Sequence, residues 1–184
     1  MSYCRFGFVL LLLCGMLFII SCGAVAPDFS DVFERAFDAS IVIQDGEREY
    51  KASISMSALS DIDTSVADAT NARNGSVRYL SPDSISDITA RRENGVVTIG
   101  VSGIEITPSP SISEKYVTLL NWLDLRGNMI YDASKRENDS TTCYEVEYIT
   151  ESGNVSVIYD CNTKLPISLS IGNIKITFTE FVYT

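Results

Sequence analysis

The chain predicts an α+β fold: a strongly curved antiparallel sheet, or half-open β-barrel, with two helices covering its concave face. Three observations predict it. Period-two alternation of apolar and polar residues recurs along most of the chain, broken by turn pairs such as Asp45-Gly46, Asn94-Gly95 and Gly172-Asn173. Two stretches, 29–37 and 116–123, carry apolar residues at helical spacing instead. So long a succession of hairpins favours a sheet that curls into an incomplete barrel, with the amphipathic helices against its inner side.

The first two dozen residues stand apart from that fold. Arg5 precedes an apolar run from Phe6 to Ile20, followed by Ser21-Cys22-Gly23. The run is shorter than the roughly 20 residues a spanning helix needs, and its plan is that of a secretory signal. Ile19-Ile20-Ser21-Cys22 resembles the lipobox of bacterial lipoproteins, in which the cysteine is acylated and becomes the new N-terminus. This implies a signal peptide over 1–21, lipidation at Cys22 (palmitate among its acyl groups), a tether over 22–27 and a single domain over 28–184. The expected location is the extracytoplasmic face of the cell membrane, held by the N-terminal lipid.

Within the domain, Asp28 is placed to cap a helix through Phe37, with Phe29, Val32, Phe33, Ala36 and Phe37 on one stripe. Residues 41–43 and 50–58 read as a hairpin whose second arm turns Tyr50, Ala52, Ile54 and Met56 to one side. The stretch 61–74 is polar and weakly patterned. Val77 to Leu80 is a short strand ended by Ser81-Pro82. Asn94-Gly95 closes the next hairpin, 88–93 with 96–101, since a type I′ turn needs positive φ at both central residues. With Glu93 opposite Val96, Ala90 and Arg92 face Ile99 and Val97.

After Ile104-Glu105-Ile106, Pro108 and Pro110 stop the strand. Ser111-Ile112-Ser113-Glu114 fits a capping box for a helix through Leu123 that Gly127 would end. The remainder reads as strand: around 129–131, then 143–150, 154–161, 167–171 and 174–181. Pairing Ile171 with Ile174 sets Ile167, Leu169 and Ile171 beside Phe178, Ile176 and Ile174. Between 143–150 and 154–161, a three-residue loop with Gly153 in a bulge sets Thr150 opposite Asn154 and Cys143 opposite Cys161. That register predicts a disulfide between Cys143 and Cys161, which export to an oxidising compartment permits. It also sets Glu145 and Glu147 beside Tyr159 and Val157; a slip by one would tidy the faces and send the cysteines to opposite sides.

Composition narrows the function. The net charge is −10, so nucleic acid is not an expected partner. The chain has no histidine, which removes Ser-His-Asp and Cys-His catalysis and the usual histidine metal sites. No catalytic residue, metal or cofactor is expected, and the protein is expected to be a monomer.

Tyr79-Leu80-Ser81-Pro82 and Asp160-Cys161-Asn162-Thr163-Lys164-Leu165-Pro166, with the order of elements, resemble the lipoprotein-carrier (LolA-like) superfamily. That group holds the periplasmic lipoprotein carrier, its outer-membrane receptor and sensor-domain proteins of envelope stress. The resemblance implies an unclosed barrel, lined with apolar side chains and lidded by helices, that accommodates acyl chains. Phe33, Phe37, Leu119, Leu120 and Leu123 would then line the cavity, with Trp122 near its rim. The expected function is non-enzymatic binding of an acyl chain or lipid, with a lipid or another lipoprotein as partner. The alternative is a sensor or interaction lipoprotein of the envelope without a bound ligand.

Overall fold

The computed structural model describes residues 27–29, 31–58, 73–125, 129–138, 141–150 and 153–184. The expected signal segment, Cys22, most of the tether, the polar stretch up to 72 and Gly127 lie outside the described residues.

The first six strands are β1 (Phe37–Asp45), β2 (Arg48–Met56), β3 (Gly75–Ser81), β4 (Thr89–Glu93), β5 (Val96–Val101) and β6 (Ile104–Ile106). Helix α1 (Pro110–Leu123) follows. The chain closes with β7 (Met129–Asn138), β8 (Thr141–Thr150), β9 (Gly153–Asp160), β10 (Pro166–Ile171) and β11 (Ile174–Tyr183). All eleven form one open antiparallel sheet in the order β6-β5-β4-β3-β2-β1-β11-β10-β9-β8-β7. Each half is a meander, and β11 returns to pair with β1.

This order explains the helix. The first meander ends on one edge of the sheet, at β6, and the second begins on the opposite edge, at β7. The connection must cross a face, and α1 does so on β3, β4 and β5. Its 14 residues span about 21 Å at 1.5 Å per residue. The inner face of the sheet, together with this helix, holds the core.

One helix is present among the described residues, not two. Within the stretch expected to be helical from Asp28 to Phe37, residues 31–34 form turns, with Val32 N–H on the Phe29 carbonyl (3.3 Å) and Glu34 N–H on the Asp31 carbonyl (3.1 Å). Phe37 is the first residue of β1. It fits both periods, 29/33/37 and 37/39/41/43, and the strand wins because β1 pairs on both sides, with β2 and β11. A nine-residue helix has no comparable support, being below the length at which isolated helices persist. The apolar stripe itself is buried: Phe29, Val32 and Phe33 press onto the inner face.

Helix α1 starts earlier than the capping box suggested. Ser109 takes the N-cap position and Pro110 the first turn, so Ser111 lies inside the helix. A proline at the first helical position loses nothing, because its missing N–H would have had no intrahelical partner.

The turns behave as their residues require. Asn94 and Gly95 both have positive φ (48° and 78°), and β4 pairs with β5 in the expected register, Glu93 opposite Val96. Ile171 opposes Ile174 across Gly172-Asn173. Ile167, however, is exposed, because a bulge between Pro166 and Ser168 turns it outward.

The β8–β9 register differs from expectation by one residue. Thr150 opposes Gly153 and Cys143 opposes Asp160, leaving a two-residue connection. The apolar pattern decides it. This register sets Tyr144, Val146 and Tyr148 opposite Tyr159, Val157 and Val155, and all but the half-buried Tyr144 are buried. It leaves Glu145 and Glu147 on the other face, whereas a slip of one would turn charged residues inward. Cys143 and Cys161 are consequently not directly opposed, and no disulfide joins them.

Candidate functional site

The inner face is filled at one end and open at the other. At the filled end, Phe33 meets Phe37, Tyr159, Phe178 and Phe181 at ring-centroid distances of 5.8, 6.4, 6.5 and 6.3 Å. Phe29 stacks on Tyr159 at 4.4 Å. The Tyr159 hydroxyl lies 2.8 Å from that of Tyr148. Burial pushes both phenols above their ordinary pKa, and the neighbouring Tyr148 hydroxyl raises Tyr159 further.

Two buried arginines close this end. The Arg73 guanidinium donates to the carbonyls of Phe33, Arg35 and Ser57, and its amide donates to Asp124 Oδ2 at 3.4 Å. Arg92 Nε donates to the Arg73 carbonyl at 2.6 Å, and its guanidinium also reaches Asn121 Oδ1. The network ties the N-terminal segment, the end of β2, β4 and the end of α1 together. A buried cation is tolerable here because its donors meet fixed carbonyl dipoles.

At the opposite end a cleft of about 810 Å³ remains between the sheet and α1. Ile43 of β1, Tyr50 of β2 and Tyr79 of β3 form its floor, with Ile88 beyond them. Strand alternation puts Ile43 directly opposite Tyr50 on the inner face. Thr118, Leu119 and Trp122 roof it from α1, on successive turns of one helical stripe. Ile174 and Ile85 complete the walls. Its fixed charges are Asp45 and Arg48, at the β1–β2 turn, where Gly46 adopts φ +59°. Asp45 Oδ1 accepts a hydrogen bond from Asn173 Nδ2 at 3.1 Å.

Of the six residues expected to line a cavity, the structure brings Leu119 and Trp122 together at this cleft. Phe33, Phe37, Leu120 and Leu123 are fully buried in the core instead. The strand residues Ile43, Tyr50, Tyr79 and Ile174 were missed, although the alternation of β2 already turned Tyr50 inward.

Two smaller depressions have mixed linings. One of about 340 Å³ is bordered by serines and Glu180 together with Ala39, Ile54 and Val182, and one of about 430 Å³ by Asn74, Arg91 and Glu93 together with Ala36 and Met56. Of these three, the large cleft has the greatest volume and the fewest charged residues in its lining, which suits a small-molecule site. Among the described residues no cluster of three or more His, Cys, Asp or Glu gathers to hold a metal, and no helix is long and apolar enough to cross a membrane.

The second stretch that carries the family resemblance is a tight loop. Asp160 Oδ1 accepts from the Asn162 amide (3.0 Å), the Thr163 amide (2.7 Å) and the Thr163 hydroxyl (3.0 Å). These donors, Thr163 first, hold its carboxyl below the usual carboxylate range. The Asp160 amide donates to the Leu165 carbonyl at 2.9 Å, which feeds Pro166 into β10.

No protein-family model matches the chain, and no curated protein matches it in sequence. Several solved structures do match. An uncharacterized conserved protein from Thermus thermophilus is 10% identical, with a TM-score of 0.49 over 85% of this chain and 84% of that one. MucB of Pseudomonas aeruginosa, solved in complex with MucA, is 10% identical, with a TM-score of 0.42 over 84% of this chain and 54% of that one. A LolA superfamily protein from Nitrosomonas europaea is 9% identical, with a TM-score of 0.40 over 85% of this chain and 90% of that one. Each of these is a structure the chain is similar to, at 10% identity or less and a TM-score below 0.5.

Proposed function

We propose that this protein is a lipid-anchored, extracytoplasmic binding protein, non-enzymatic, that holds an acyl chain or lipid in the cleft beneath α1. One observation carries the reading: an 810 Å³ cleft floored by Ile43, Tyr50 and Tyr79 and roofed by Leu119 and Trp122. Water in such a cleft is poorly partnered, and each methylene that replaces it gains about 0.8 kcal/mol. The signal-like segment with Cys22 supports placement at the membrane outside the cytoplasm, where such ligands are plentiful.

Native mass spectrometry of the full chain made in a bacterial host tests this. A co-purifying lipid, diminished in a Leu119→Arg variant, is the expected result. A ligand-free mass, with one enriched envelope protein on pull-down, would replace this reading by a sensor or interaction role.

A further inference from the structure

Resting on that binding reading, the geometry points to a narrower ligand class: an elongated amphiphile with an anionic head, seated at Arg48, whose tail lies across the strands toward the β6 edge. Two independent features carry it.

The first is a row of apolar residues across the inner face, one each from β2, β3, β5 and β6 with Ile88 just before β4. Tyr50 and Tyr79 continue the floor from β2 to β3, and the Tyr79 amide bonds the Ile88 carbonyl at 3.0 Å. One step beyond the Thr89–Gly100 pair, Ile88 comes beside Val101 of β5, and Val101 pairs with Ile104 of β6. Val101 and Ile104 share the face of the buried Ile99, yet they are 43% and 68% exposed. The row therefore leaves the cleft and ends at the sheet edge uncovered. Four strand spacings from Tyr50 to Ile104 make roughly 19 Å, close to the length of an extended long-chain acyl tail.

The second is the charge at the other end. Arg48 faces Asp45 across the hairpin. Asp45 is engaged by Asn173, which lies on the β11 side of β1, away from β2. Glu47 sits in the turn, and Glu49 alternates to the opposite face from Tyr50. Among the described residues the ion pairs are Arg78–Asp87, Arg91–Glu93 and Arg136–Glu145, and none involves Arg48. An exposed guanidinium at the lip of an apolar cleft suits a carboxylate, sulfate or phosphate head. The net charge of −10 does not cancel this, since distant charges are screened beyond about 8–10 Å at physiological salt.

Trp122 is the sole tryptophan and lines the cleft, so its fluorescence reports occupancy. The full chain would be titrated at physiological salt with hexadecyl sulfate, hexadecanol and hexadecyltrimethylammonium, the ionic probes below their micelle concentrations and the alcohol below its solubility limit. The sulfate should bind about ten-fold or more tighter than the alcohol, the effect of one charge-assisted hydrogen bond, with the ammonium weakest. Arg48→Gln should erase that preference and Arg48→Lys keep it. Ile104→Asp should weaken the hexadecyl probes while sparing octyl sulfate. Equal binding of the three heads, tighter ammonium binding, or a preference surviving Arg48→Gln would overturn the anionic head. Indifference to Ile104→Asp would overturn the tail path. If none of the probes perturbs Trp122, the binding reading fails as well.

Discussion

Replacing Arg73 by methionine isolates the network that closes the filled end. Methionine keeps an unbranched apolar stem but removes all the side-chain donors. Three carbonyls lose their partner: Phe33, in a fully buried bond, and Arg35 and Ser57, in partly buried ones. A buried acceptor left unmade costs about 1–3 kcal/mol, and partly buried ones about 0.5–1.5 each, giving about 2–6 kcal/mol. Removing the guanidinium's own desolvation cost offsets part of this, so about 3 kcal/mol is the expected loss. With a urea slope near 2 kcal/mol/M, the midpoint should fall by about 1.5 M at unchanged slope. Urea titration followed by circular dichroism and by Trp122 fluorescence measures it. A loss below about 0.5 kcal/mol, the scale of a surface substitution, would refute the assignment of Arg73 as the latch of the N-terminal segment.

Gly75→Ala should destabilise by about 1–3 kcal/mol, because a Cβ there would lie 2.7 Å from Met56 Sδ and 2.9 Å from the Ser55 carbonyl. Thermal melting would show it, and an unchanged melt would contradict the close β2–β3 approach. The buried Tyr148–Tyr159 pair titrates above ordinary phenols. Its contribution is therefore complete below about pH 10, the unfolded value, and is lost as pH rises past it. Phenolate absorbance of this pair should appear only together with unfolding, and free titration in the folded chain would contradict its burial. For Asp160 the sign reverses: its loop contribution is present above the usual carboxylate range and is lost as pH falls below it. Asp160→Ala should accelerate exchange of the Asn162 and Thr163 amides, and unchanged exchange would deny the carboxylate its role.

The sequence made the sheet legible wherever turn chemistry and alternation agreed. Asn94-Gly95 and Gly172-Asn173 fixed their hairpins because only a few residues accept the required φ, and the flanking alternation left one register. Where signals conflicted, the longer-range one won. Phe37 satisfied two periods, and pairing with β11, far away in sequence, chose the strand. Gly153 and the two cysteines favoured one β8–β9 register, yet burial of Val146, Tyr148, Val155 and Val157 imposed another.

The site divided in the same way. Leu119 and Trp122 were legible as a helical stripe. Which of that stripe filled core and which faced open space depended on where α1 crosses the sheet, a consequence of strand order rather than local pattern. Arg73 and Arg92 were invisible for a related reason. Most of their acceptors are backbone carbonyls on segments 16 to 40 residues away, and no side-chain motif announces such partners.

The central claim is that the cleft beneath α1 takes an apolar chain. The most direct measurement is quenching of Trp122 by a brominated long-chain alcohol, a neutral probe whose bromine quenches indole only on contact. The account predicts saturable quenching at one probe per chain. It also predicts affinity rising up to about four-fold with each buried methylene, from about 0.8 kcal/mol apiece. Quenching that never saturates, or affinity indifferent to chain length, would show that the cleft is not a binding site.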